Sequence, residues 1–552
     1  MKTEPSYILQ KVILYIIGIT FFVSCKPKTA NDQRTVFYYN ESNGITSLDP
    51  AFARDLEIMW ATNQLFDGLV ELDDSLHVVP CIANSWEISN DGKTYIFHLR
   101  DSVFFHPSPL FADSTNRSVT AQDFVFSFLR ILDPKVASPG QWIFSKVDNS
   151  EGKGFEALND STLVIRLKTS FQPFLGMLTT QYANVVPREV VEHYGLDFRE
   201  HPVGTGPFRF AFWYENVALV FHKNNLFWQR DEKGIQLPYI DAVKIDFVKD
   251  MSVEYQGLLQ GKYDFISGIH PSFKDELLTP QGELQDRFKD KIYFQKTPFI
   301  KTDYLGFMID PSMEVAKNSP LLQANVRKAL SLAINREEMI EYLRNNSVFP
   351  ANAGFVPPVL LSQKKKDVVL YNREMALSLL KEAGFPEGKG LPVITLSTTA
   401  DYADLMEYIQ HEWEKIGVTA KIQVMQAAAF REAGAKGQLQ LFRKSWLADY
   451  ADPENFLSVF HSDNFCPNGP NYTHFSNTLF DQLYNESVSS TSDSLRNENY
   501  QKMVQLIDEQ TPVIPLYYDQ VSHFISKRIE QFPTNSVNML DLRKVTLRAS
   551  AH

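Results

Sequence analysis

Apolar and polar positions along this chain alternate with two different periods. Thr94–Arg100 and Thr162–Leu167 are β-branched and aromatic runs that follow the turn formers Asn90-Asp91-Gly92 and Asn159-Asp160-Ser161, so each is expected as a strand. Between them Phe124, Phe128 and Leu132 recur at helical spacing. They predict a helix over 121–132, capped by Thr120, with Asp123 set against the helix dipole and Asp133-Pro134 as the stop. Farther on, Met375, Ala376, Leu379, Leu380 and Ala383 form the stripe of a helix over 373–383, capped by Asn372 and ended by Gly384. A strand over 393–397 follows. Then come a helix carrying Leu405, Met406, Ile409, Trp413 and Ile416, and a strand over 418–425. Strand and helix signals alternate in this way along the chain without an internal repeat, which points to α/β lobes whose apolar stripes are core faces.

The first residues break this pattern. Lys2 and Lys11 precede the apolar run Val12–Val23, interrupted only by Gly18 and Thr20. A membrane-spanning helix needs about 20 such residues and a signal-peptide core about 7 to 15, so residues 1–24 are expected to be an export signal. Phe22-Val23-Ser24-Cys25 is similar to the lipobox of bacterial lipoproteins, with Phe22 where leucine is usual. The similarity implies that Cys25 becomes the lipidated first residue and that 25–34 is a polar tether. The competing reading is an ordinary signal sequence with a chance cysteine.

A chain of 552 residues, 44% hydrophobic, exceeds what one core accommodates, so two or three lobes are expected. Loss of residues 1–24, which carry Lys2, Lys11 and Glu4, takes the net charge from −12 to −13. That excess disfavours nucleic acid and anionic lipid surfaces as partners. In an oxidising compartment Cys81 and Cys466 can pair if their Cβ atoms come within reach.

Catalytic signatures are missing. His411-Glu412-Trp413-Glu414-Lys415 opens like a zinc-protease helix but has Lys415 where the second histidine must stand. Asp449, Asp452 and Glu454 lack the spacing and central glycine of a calcium loop. There is no GxSxG elbow, CxxC pair or GxxxxGK[ST] loop, and Gly204-Thr205-Gly206-Pro207-Phe208 reads as a turn. A binding protein is expected, with no catalytic residue, no metal and no cofactor.

Several stretches together resemble the family 5 extracellular solute-binding proteins, the peptide receptors of ABC importers. They run in order from Ser47-Leu48-Asp49-Pro50 and Leu65-Phe66-Asp67-Gly68-Leu69, through Ala83-Asn84-Ser85-Trp86, Asp91-Gly92-Lys93-Thr94-Tyr95, Leu99-Arg100-Asp101 and Phe105-His106, to Pro202–Phe208, Val326–Arg336 and Leu379–Phe385. The resemblance implies an α/β, two-lobed periplasmic-binding-protein fold (type II, cluster C) with an extra domain inserted in the first lobe. The lobe boundaries it suggests are 35–70, 190–295 and 516–552 for a discontinuous lobe I, 71–189 for the insert and 296–515 for lobe II.

The stretch Arg443-Lys444-Ser445-Trp446-Leu447-Ala448-Asp449-Tyr450-Ala451-Asp452-Pro453 is similar to the segment that grips the amino end of a bound peptide in that family. The resemblance gives Asp449 the ligand's ammonium, and sets Trp446 as an apolar wall with Leu447 beside it. Arg443 either meets a ligand carboxylate or balances Asp449. Asp449 as a helix cap or turn acid beside Asp452-Pro453 is the competing reading. Tyr517 and Tyr518 are placed near the cleft, and strand alternation lets only one of them reach the ligand, with Tyr518 favoured. The implied partners are a short peptide, an ABC permease and the membrane through the lipid at Cys25, with the protein monomeric in the cell envelope, on the periplasmic or extracellular side. Rival functions are the same fold holding a nickel chelate, haem or an oligosaccharide, a lipid-anchored sensor or adhesin, and a surface hydrolase.

Overall fold

A computed structural model describes residues 35–113, 117–268, 270–361 and 371–548. Cys25, the export signal and the tether lie outside the described residues. The chain forms two lobes that share a single large mixed sheet. Its strands lie in the order Ala420–Met425, Ile394–Thr399, Leu441–Leu447, Ile292–Phe307, Val513–Ser526, Phe265–Ser267, Val36–Asn40, Ala242–Asp246, Ala218–Lys223 and Phe208–Tyr214, with Phe349–Pro350 paired beside Val513–Ser526.

Two of these strands are unusually long and join the lobes. Ile292–Phe307 and Val513–Ser526 run antiparallel, from Ile292 opposite Ser526 to Gly306 opposite Val513. At one end the pair meets the first lobe through Phe265–Ser267, and at the other it meets the second lobe through Leu441–Leu447. The ladder is irregular between Pro298 and Thr302 and again between Asp303 and Tyr304, where it passes from one lobe to the other. A ladder that loses regular pairing there is the natural place for bending.

Local signals explain the elements between. The helix Ala121–Leu132 starts where the Thr120 amide and hydroxyl both donate to Asp123, and it buries Phe124 and Phe128. The strands Thr94–Leu99 and Thr162–Arg166 pair within a separate four-stranded sheet. Asn372 caps Arg373–Glu382 by accepting the Met375 amide at 2.9 Å. That helix buries Ala376 and Leu380, whereas Met375 faces solvent and leaves the expected stripe.

The Gly204–Phe208 stretch packs against the chain at Leu65. A Cβ on Gly204 would lie 2.0 Å from the Leu65 carbonyl oxygen, and one on Gly206 2.6 Å from the Leu65 carbonyl carbon. The Thr205 hydroxyl then donates to Asp67 at 2.9 Å, locking the turn onto the end of the helix Leu56–Leu65. Only glycine fits so close an approach.

Cys81 and Cys466 are both buried and unpaired. Cys81 belongs to the core of the first lobe, while the Cys466 thiol sits 3.3 Å from His474 Nε2 in the second, so the bridge that the sequence allowed is not formed. Among the described residues no helix is long and apolar enough to cross a membrane.

Candidate functional site

The strand Leu441–Leu447 and the loop that follows it form a wall of the second lobe. Its register with the long strand sets Ser445 opposite Asp303 and Trp446 opposite Thr302, so alternate residues go to opposite faces of the sheet. Arg443 lies on the Asp303 face. Asp303 has a fully buried side chain and forms an ion pair with Arg443, while Lys301 stands 3.7 Å away and itself holds Asp519 at 2.7 Å. The Arg443 guanidinium also lies over the Tyr402 ring, 3.2 Å from its centroid. Burial pushes the Arg443 pKa down to about 10, with Tyr517 and Asp519 acting against that shift. Of the two roles open to Arg443, the cation therefore balances a carboxylate, but the carboxylate is Asp303 rather than Asp449.

Trp446 points the other way. Its indole N–H donates to the Asn455 side-chain oxygen at 3.0 Å, and the same oxygen accepts the Asp449 amide at 3.3 Å. Asn455 is buried in the short helix Pro453–Leu457, so one amide group fixes the turn that carries Trp446, Leu447 and Asp449. Leu447 is exposed. Asp452 caps that helix by accepting the Glu454 amide at 2.9 Å and is held by Arg496 at 2.6 Å. The capping role weighed for Asp449 is thus filled by Asp452.

Asp449 is exposed at the surface, and the protein packed around its carboxyl still raises its pKa by desolvation, against the hydrogen bond from Asn455. Across from it, burial and then the charges of Asp449 and Asp55 push the Tyr182 hydroxyl up to about 12. The Tyr182 hydroxyl thus feels the charges both of Asp449, after the strand Leu441–Leu447, and of Asp55, at the start of the helix Leu56–Leu65. The next residue is one of the contacts between the second lobe and the insert: the Tyr450 ring stacks on Trp142 at 6.1 Å and lies against Gly176. Behind it, Tyr450 and Tyr484 both donate to Glu454, whose buried carboxyl is pushed up to about 7.

The two tyrosines of the long strand face opposite ways. Tyr517 packs in the apolar cluster of Leu305, Ile514 and Leu516, with Arg344 over its ring at 6.0 Å. Tyr518 is buried against Ala351 and Ala353, its hydroxyl donating to the Gly354 carbonyl at 2.7 Å and accepting the Ala353 amide at 3.2 Å. The structure thus sets Trp446 and Leu447 at the end of the strand Leu441–Leu447 and Asp449 in the bend that follows, with Arg443 farther back on that strand and Tyr517 and Tyr518 on Val513–Ser526. The sequence reading missed Asn455, Tyr182 and Trp142. Only Asn455 left a local signal, as a polar residue in the first turn after Asp452-Pro453.

Residues 77–465 match the model of the bacterial extracellular solute-binding proteins, family 5. The dipeptide-binding protein DppE of Bacillus subtilis is 27% identical over 94% of this chain and 92% of its own length. Heme-binding protein A of Haemophilus influenzae is 28% identical over 86% of this chain and 85% of its own. Among solved structures, the unliganded open form of the MppA periplasmic murein tripeptide-binding protein superposes with a TM-score of 0.79 at 24% identity, covering 94% of this chain and 99% of that one.

Proposed function

Since the chain belongs to family 5 of the bacterial extracellular solute-binding proteins, we propose that it captures short peptides in the cleft between its lobes and delivers them to an ABC permease, tethered to the membrane by lipid at Cys25. The lobes in this reading are 35–70, 190–295 and 516–552 against 296–515, with 71–189 as the insert. Asp449 is the observation that carries the proposal. It is a carboxylate with its pKa raised by desolvation and an amide as its hydrogen-bond partner, and in this reading it faces the interlobe cleft.

Closing the lobes over an empty Asp449 deepens that desolvation, whereas closing them over a peptide ammonium supplies the missing cation and a charge-assisted hydrogen bond. The ligand thus favours the closed state by its differential affinity. The two long strands act as the hinge, bending where their ladder is irregular between Pro298 and Tyr304. Trp446 and Leu447 line the approach to the ammonium, and Arg443, Tyr517 and Tyr518 hold the strands behind them. Relatives named for dipeptide and oligopeptide binding support the substrate class.

Native mass spectrometry of protein gently extracted from membranes tests the reading as a whole. The expected spectrum contains co-purified peptides and a mature chain that begins at a diacylglyceryl-modified Cys25. Asp449→Ala should weaken peptide binding by about 30-fold or more, the scale of losing one partner of a desolvated charge pair. Peptide retention unchanged by that substitution would remove Asp449 from the site. Bound haem, sugar or metal chelate in place of peptide would overturn the substrate class, and an unmodified Cys25 would overturn the tether.

A further inference from the structure

A cavity of about 380 Å³ opens on the first lobe, where the strands Val36–Asn40 and Phe265–Ser267 end and the helix Leu56–Leu65 begins. Its lining has an unusual charge. It includes the carboxyl groups of Glu41, Glu57 and Glu254 together with His270, and no lysine or arginine among the described residues. Glu41 is only 8% exposed. What acts on it is burial, then Glu57, the amide of Asn43 and Glu254, and the sum pushes its pKa up to about 8. Glu57 accepts from the Asn43 side chain at 2.5 Å, and Glu254 from the Asn40 side chain. The hydrogen bonds on these three acids thus come from neutral amides.

The other walls are aromatic. Trp60, Tyr255 and Phe273 line the same space, and Tyr255 stacks on Phe273 with centroids 5.1 Å apart. Tyr255 is 3% exposed and its hydroxyl has no hydrogen-bond partner, an independent sign of a polar group left for something not part of the chain. Acids and ring faces together suit an organic cation, because the charge is neutralised at the carboxylates while cation–π contact covers its apolar flanks. The volume falls in the range of small-ligand sites. The helix Leu56–Leu65 leads from this cavity toward Asp449: Leu56 and Glu57 of its first turn line the cavity, and the charge of Asp55 at its N-cap acts on the same tyrosine, Tyr182, as the charge of Asp449.

We propose that this cavity receives the lysine or arginine side chain of a peptide whose ammonium is held at Asp449, so that the receptor is selective for basic peptides. The proposal rests on the peptide-binding reading above and deepens it. Three carboxylates crowded into one cavity repel one another, and a guanidinium or ammonium relieves that repulsion. The net charge of −12 steers such ligands in the same sense.

Calorimetry on the full chain freed of co-purified ligand tests it with six tripeptides of alanine, carrying one arginine or one leucine at each of the three positions in turn. At one position or more the arginine peptide should bind at least 10-fold tighter than its leucine counterpart. In the Glu57→Gln/Glu254→Gln variant that ratio should fall below about 3-fold, while the unfolding temperature holds or rises because repulsion is removed. Equal affinities for arginine and leucine peptides at every position would overturn the cavity's role and leave the peptide reading standing. A preference that survives the double substitution would overturn it as well. If no tripeptide binds, the peptide reading fails first, and agmatine decides the cavity: binding abolished by the double substitution keeps its cation selectivity, and no binding to the wild type removes it.

Discussion

Asp303 and Asp449 lie on the same wall of the second lobe and have opposite surroundings. Asp303 is fully buried, and the chain supplies its cations in Arg443 and Lys301. Asp449 is in contact with water, is hydrogen-bonded by Asn455, and has its pKa raised. A buried carboxylate with a cation of its own is part of the scaffold, because removing either partner strands a charge. The proposed ligand role of Asp449 rests on that difference between the two acids, more than on the presence of acid in the wall.

The largest expected effect comes from breaking the scaffold pair. Arg443→Met leaves Asp303 with only Lys301 at 3.7 Å, and should cost about 3 kcal/mol of stability, read from the urea midpoint at constant m-value. Adding Asp303→Asn should restore more than half of that loss, since the stranded charge goes with it. A loss under about 1 kcal/mol for Arg443→Met would mean that the pair is no more than a surface contact, and the contrast with Asp449 would collapse.

A third carboxylate sharpens the comparison through pH. Glu454 is 2% exposed and its pKa is pushed up to about 7, by burial first and by Asp452, against the hydroxyls of Tyr450 and Tyr484 and the charge of Lys146. A folded-state pKa above the unfolded one means that the protonated group favours folding. Its contribution is fully present below about pH 4.5 and is lost as pH rises through about 7, a span worth roughly 3 kcal/mol. Glu454→Gln should therefore show a shallower fall in unfolding free energy between pH 5 and 8 than the wild type, by most of that amount. Part of the slope should persist in the variant, because Glu41 is raised to about 8 and its own loss of stability spans the same window. Parallel stability curves for the two proteins would exclude Glu454 as the titrating group.

How much of this was legible in the sequence depends on how local each feature is. The helix over 121–132 could be read because Thr120, Asp123 and the spacing of Phe124 and Phe128 lie within one element. The Trp446-to-Asp449 segment was singled out by resemblance, which a single contiguous stretch such as Arg443–Pro453 can carry. The opposite orientation of Tyr517 and Tyr518 follows from strand alternation alone, but the partners that bury each, Arg344 for one and Ala351 with Ala353 for the other, come from distant chain. The Asp303–Arg443 pair was illegible because it arises from the register of two strands far apart in sequence. The same holds for the first-lobe cavity, whose acids come from the end of a strand and from two separate helices. Met375 failed as a core prediction because a helix stripe says which residues share a side, not how much of that side is covered.

The smallest expected effect is also the one that separates a ligand site from scaffold most directly. Asp449 has its pKa raised in the folded chain, so its ionised form disfavours folding, and that penalty is absent below the unfolded pKa and grows as pH rises through the folded one. Water contact screens most of the penalty. Asp449→Asn should therefore leave the unfolding free energy at pH 7 unchanged or higher by no more than about 0.5 kcal/mol, the range of ordinary surface substitutions. The same asparagine should strongly weaken peptide binding, since an amide offers the ammonium no charge. Stability lost together with binding would place Asp449 in the class of Asp303, as a structural acid whose removal damages the wall. Stability kept while binding falls is the signature of a carboxylate that the fold carries at a cost and the ligand completes.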